Sequence, residues 1–108
     1  MANTNLSVAR DFSITPGPRA QEEGDFSGEQ FLNQVLLPRF KEAVDAQMRL
    51  LVDLDGTEGY ATSFLEAAFG GLARKMGAKK VLSVLTFKSE DEPFLVDEIT
   101  KYINDAER

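Results

Sequence analysis

At 108 residues, with 43% hydrophobic and 28% charged side chains, the chain has the length and balance of one globular domain, which excludes wholesale disorder. It contains no cysteine and no histidine, which excludes disulfides, thiolate chemistry, zinc–thiolate sites and every histidine-based acid–base or nucleophile system. The formal net charge of −6 sets up a field that repels phosphate backbones and anionic lipid, so neither a nucleic acid nor a membrane is expected as a partner.

The first segment, "MANTNLSVARDF", lacks the basic start and apolar middle of a signal peptide, and no apolar run approaches the ~18 residues that span a bilayer. A cytoplasmic location is therefore expected, with flexible ends at residues 1–4 and 105–108. Residues 5–12 alternate, with Leu6, Val8 and Phe12 on the apolar side and Arg10 interrupting it, the pattern of an edge-like strand. The stretch "SITPGPRAQEEGDFSG" is rich in proline, glycine and acids and has little periodicity. It reads as a loop, with a short second strand around Arg19 to Gln21.

Ser27 followed by Gln30 has the form of a capping box, so a helix is predicted to start there. Leu32, Val35, Leu36, Phe40, Ala43 and Val44 extend its apolar face to about Ala46. Pro38 lies inside this pattern, removing a donor and crowding the preceding turn, and predicts a kink near Leu37. "RLLVDL", from Arg49 to Leu54, is a nearly continuous apolar run, predicting a central, parallel strand covered on both faces.

After the turn "GTEGYA", Leu65, Ala68, Phe69, Leu72 and Met76 form the stripe of a second helix ended by Gly77. Gly70 and Gly71 inside it imply either fraying or a close backbone approach. Val81 to Phe87 is another apolar run, read as a strand. Pro93 suits the first turn of a last helix that buries Leu95, Ile99, Tyr102, Ile103 and Ala106, with Asp91 and Glu92 at its positive end. Helices between buried strands require right-handed crossovers. The fold class is α/β, one small domain over 1–108 with a mixed sheet of about four strands and three or more helices packed on it.

In open α/β sheets, sites gather where the carboxyl ends of strands meet helix N-termini. That edge holds Asp53, Asp55, Gly56, Thr57, Glu58, Tyr60, Thr62 and Ser63. Asp53 and Asp55 share a side of the strand and have two readings, the beginning of a magnesium site or caps for turns. The turn has no lysine and so lacks the pattern of a phosphate-cradling loop. No cofactor, metal site or enzymatic activity is expected. Ser63 and Glu66 again match a capping box, so Ser63 either starts a helix or carries a phosphate at the helix's positive end. Arg74 and Lys75 serve either as docking charges or as cations solvating a helix end.

The stretch "LLVDLDGTEGYATSFLEAAFGGLARKMG", Leu50 to Gly77, resembles the middle of STAS domains, the class named for sulfate transporters and anti-sigma factor antagonists. It is closer still to the bacterial STAS-like family of unknown function. The resemblance rests on Gly17-Pro18-Arg19, on Ser27-Gly28-Glu29, and on Ser63, Phe64, Leu65, Phe69, Gly70 and Leu72, and it extends from about Leu6 to Ile103. It implies a non-enzymatic signalling protein docking on an ATPase-type, histidine-kinase-like partner. In antagonists of this fold, the serine at the helix start after the central strand is phosphorylated. By position that serine is Ser63, with Thr62 beside it, although Ala61 stands where antagonists carry an acid. The implied docking surface comprises Asp55, Gly56, Thr57, Glu58, Tyr60, Phe64 and Glu66, with Arg19 brought near by the Gly-Pro-Arg turn. Two further readings are a small-ligand or nucleotide-binding module and a structural domain that forms homo-oligomers.

Overall fold

The computed structural model describes residues 3–106. β1 (Asn3–Ser7) is followed by a short helix, α1 (Val8–Asp11), and a long loop with a 3-10 turn at Gln21–Glu23. Then come α2 (residues 28–45), β2 (Arg49–Asp53), α3 (residues 62–76), α4 (Ala78–Val84), β3 (Leu85–Lys88) and α5 (Leu95–Asp105). The sheet order is β1-β2-β3 and both pairings are parallel, with Leu6 opposite Val52 and Val52 opposite Phe87. The molecule is a small α/β domain with a three-stranded parallel sheet and five helices among the described residues.

The sheet thus has three strands, not about four, and is parallel, not mixed. The loop residues explain the missing strand. The carbonyls of Pro18 and Arg19 accept from the N–H groups of Gly28 and Glu29, and the Ala20 N–H goes to the Glu23 side chain. These backbone groups are spent on the start of α2 and on the loop's own turn, which leaves them no ladder to join.

The first strand also ends early. Ser7 Oγ accepts from the Arg10 N–H while the Asp11 carboxylate takes the Ser7 N–H, a reciprocal cap that starts α1. Asn3 and Thr4 pair with Arg49 and Leu50, and residues 1, 2, 107 and 108, part of the expected flexible ends, lie outside the described residues.

β2 is central and parallel, as its apolar run predicts. Leu50 and Val52 are fully buried, but Leu51 and Asp53 are half-buried, so only one face is completely covered. The run from Val81 divides between two elements. Ala78, Val81 and Val84 are buried at a spacing of three on α4, and only Leu85–Lys88 forms the strand. Gly77, at φ 93°, ends α3 and lets α4 begin at once, which gives a largely apolar stretch a helical first half.

Both long helices contain a widened π turn. In α2 it spans Leu32–Leu36, with the Leu37 N–H reaching back five residues to Leu32. The disturbance expected from Pro38 is therefore a wide turn immediately before the proline, through which the helix continues. In α3 it spans Glu66–Gly70, and the helix does not fray at the glycine pair. A Cβ on Gly71 would lie 2.7 Å from Leu32 Cδ2, so the pair marks a close approach of α3 to α2. Between these helices Phe31 stacks on Phe64 at 5.8 Å and meets Phe69 edge-on at 6.2 Å, and all three rings are fully buried. Leu95, Ile99 and Ile103 of α5 complete the core.

Candidate docking site at the carboxyl edge of the sheet

A parallel sheet places the carboxyl ends of its strands at one edge, and here the loops 12–27, 54–61 and 89–94 meet there. They are tied to one another by hydrogen bonds. Asp55 accepts from the backbone N–H groups of Glu90 and Asp91 at 3.1 and 2.9 Å, and Asp91 returns a carboxylate oxygen to the Gly56 N–H at 3.1 Å. The Ile14 carbonyl takes the Glu58 N–H at 2.8 Å, and the Tyr60 hydroxyl donates to the Leu54 carbonyl at 2.8 Å.

Such bonds engage both Asp53 and Asp55. The Asp91 N–H, then that of Glu90, holds the Asp55 carboxyl below the usual carboxylate range. Asp53 takes the Asp55 N–H at 3.0 Å and lies 3.9 Å from Lys88 Nζ. Both acids thus close turns. No group of three or more acids able to hold a metal ion is assembled among the described residues. Tyr60 is likewise a tether. Burial is the main reason its phenol is pushed far up, so it stays a neutral donor, while its ring lies 5.9 Å from Phe64.

The start of α3 departs from the capping expectation. Ala61, with φ −71° and ψ 142°, occupies the cap position, and its carbonyl accepts from Phe64 and Leu65. Thr62 and Ser63 are the first and second helical residues, Thr62 exposed and Ser63 half-buried. The Ser63 hydroxyl makes no hydrogen bond among the described residues. Burial is the main influence raising the pKa of Tyr102, which stands beside Thr62. Phe64, the next residue, is wholly buried, so it holds the helix start from beneath and offers no side chain to the surface.

With Ala61 as the cap, Glu66 lies beyond the box position, and two arginines claim its carboxylate. Arg19 Nη1 contacts its Oε1, and Arg74 Nη1 donates to its Oε2 at 2.7 Å. Arg74, then Arg19, holds the Glu66 carboxyl below its ordinary value. Gly70 makes the second contact possible, since a Cβ there would stand 2.5 Å from Glu66 Oε2. Arg74 is therefore an ion-pair partner two turns from Glu66. Lys75 makes no ion pair among the described residues.

The structure brings Asp55, Gly56, Thr57, Glu58 and Tyr60 together on one turn and joins Arg19 to Glu66 beside it. Three further residues belong to the same edge. The large hydrophobic side chains left exposed among the described residues are Ile14, Phe26 and Phe94, and all three lie on the edge loops or immediately before a helix that starts there. Phe26 also has φ 55°, a left-handed conformation that a bulky residue seldom adopts. Each is a lone apolar residue in a loop, where periodicity says nothing about burial. Their only sequence signal is a large apolar side chain in an otherwise polar, turn-forming stretch.

The molecule is a small α/β domain with an open parallel sheet, and its knitted loops, exposed apolar side chains and a helix start with an unbonded hydroxyl make the carboxyl edge the candidate site. The chain belongs to the family of the STAS-like domain of unknown function (DUF4325), which it matches over residues 27–94, from the cap of α2 to the loop before α5. No curated protein and no solved structure matches it. No helix among the described residues is long and apolar enough to cross a membrane.

Proposed function

We propose that the domain is a regulatory protein-docking module. Its carboxyl edge binds an ATPase-type, histidine-kinase-like partner, and a phosphate on Ser63, or on its neighbour Thr62, switches that contact. The observation that carries this reading is the segregation of exposed Ile14, Phe26 and Phe94 to the edge that also presents the two hydroxyls. Exposed large hydrophobics concentrated on one side mark an interaction surface, whereas single scattered ones mark nothing. The STAS-like family membership supports the type of partner by likeness to anti-sigma factor antagonists.

The switch follows from local electrostatics. A phosphate on Ser63 adds a charge of about −1.5 to −2 one helical turn before Glu66, with which it shares a helix face. It repels the Glu66 carboxylate and competes with it for the Arg19 guanidinium, which rearranges the edge between the loop 12–27 and α3. The same edge is already acidic, carrying Asp53, Asp55, Glu58, Glu90 and Asp91, so the added charge weakens docking on any partner surface that is not strongly cationic.

The test is a binding titration against a candidate ATPase-type kinase, using Ile14→Ser and Phe94→Ser as edge variants and Lys41→Ala, on the exposed part of α2, as a control. Each edge variant is expected to weaken binding about tenfold or more, the loss typical of a buried interface anchor, with the control unchanged. Equal binding by all three variants would place the interface elsewhere. Sedimentation of the chain alone separates this from the remaining alternative, in which the edge pairs two copies of the domain.

A further inference from the structure

A surface cavity of about 420 Å³ opens between α2 and α3, bordered by Arg19 and Ala20 of the loop 12–27, within the size range of small-ligand sites. Its floor is apolar, formed by Leu32, Ala67 and Gly71, and Arg19, Arg74 and Lys75 stand around it with the Asn33 amide. On a chain of net charge −6 this is an unusual gathering of cations. Two carboxylates temper it. Glu66 holds one nitrogen of each arginine, and Glu29, at the rim, is engaged with the Gln21 N–H at 3.2 Å. Each guanidinium has five N–H donors, and among the described residues each spends only Nη1 on a protein acceptor. The remaining guanidinium donors, with the Lys75 ammonium, are suited to oxygen anions.

We propose that this cavity is a binding site for a small organic oxyanion, a carboxylate or phosphate monoester on a short aliphatic body. The head sits between Arg74, Lys75 and Arg19, and the body lies on Leu32 and Ala67. No aromatic side chain lines the cavity, so a nucleobase would find no stacking partner, and the ligand is not a nucleotide. Glu66 acts as an internal competitor. It holds the guanidiniums in place in the empty site and shares them with the ligand in the filled one. The site shares Arg19 and Glu66 with the proposed switch, but ligand binding here requires neither the phosphate nor the partner.

The competitor role gives the test its direction. Glycerol 3-phosphate and succinate are titrated separately into the isotopically labelled protein, with amide resonances of Asn33 and Gly71 locating the site. One or both are expected to move those two amides, and the one that does names the head group. Arg74→Gln should weaken that binding about tenfold and Lys75→Gln severalfold, whereas Glu66→Gln should tighten it severalfold by releasing both arginines. The spectrum of each variant verifies that it is folded. No movement of the Asn33 and Gly71 amides with either compound at millimolar concentration would overturn the proposal. So would binding that Glu66→Gln weakens as much as Arg74→Gln does.

Discussion

Ser27 and Ser63 precede the bodies of the two long helices, and each is followed three residues later by a Gln or Glu. They nevertheless do opposite things. Ser27 is fully buried, its hydroxyl accepts the Gln30 N–H at 3.0 Å, and Gln30 reaches back to the Phe26 N–H at 3.1 Å. Ser63 sits inside its helix, caps nothing, and its would-be partner Glu66 is held by two arginines. The difference lies in where each helix begins. Ser27 is the cap of its helix and Gln30, whose amide nitrogen goes to Gln34 at 3.3 Å, keeps its oxygen for the Phe26 N–H, whereas Ala61 caps α3 and Glu66 is claimed by full charges. A hydroxyl whose structural duty is discharged by its neighbours is available for another use, and Ser63 is in that position where Ser27 is not.

Four substitutions test this contrast. The largest effect is expected at Gly28, directly after the Ser27 cap, because a Cβ there would stand 2.5 Å from the Phe64 carbonyl oxygen and 3.1 Å from Phe64 Cα. Both are backbone atoms that cannot swing aside, so Gly28→Ala should cost about 3 kcal/mol in urea unfolding. It would also loosen the contact by which α2 supports the start of α3. Ser27→Ala should follow at about 1–2 kcal/mol, since it removes a cap and leaves a buried N–H unpaired.

Glu66→Gln should change stability by less than about 1 kcal/mol at neutral pH, because both arginines are half exposed and water screens the pairs. Its pH dependence is more informative. The pairs hold the Glu66 pKa below its ordinary 4.5, so their contribution is complete above that value and is lost as the pH falls through the lowered one. Wild type and Glu66→Gln should therefore converge in acid, and a gap that persists at the lowest pH where both remain folded would show that the pairs are not its source. Smallest of all, Ser63→Ala should lie within about 0.5 kcal/mol of wild type by the same unfolding measurement. A loss comparable to that of Ser27→Ala would mean that Ser63 is a cap after all.

The features legible in the sequence are those fixed by neighbouring residues. The Ser27 start of α2, the apolar run of β2 and the Gly77 end of α3 each depend on residues a few positions apart, where capping, alternation and left-handed backbone leave a mark. The features missed depend on distance. Arg19 and Glu66 are 47 positions apart, and nothing in the local pattern around either announces their pair. Val81 to Phe87 is apolar at five of seven positions, in pairs that suit either period, so periodicity does not separate the last turn of α4 from β3. The loop at 19–21 lacks a strand because its backbone is consumed by the start of α2, a contact that only the folded chain makes. At the candidate site the hydroxyls and the acidic turn could be named from the sequence. Ile14, Phe26 and Phe94 could not, since a lone apolar residue in a loop carries no period.

The most direct test of the docking switch is a titration of an ATPase-type partner with the protein before and after enzymatic phosphorylation, the modified residue being located by fragment mass. The phosphate is expected on Ser63 or Thr62, with partner affinity reduced at least about tenfold and Ser63→Asp reproducing most of that loss. An absence of phosphate at both positions with every such kinase that binds the domain, together with wild-type affinity in Ser63→Asp, would contradict it.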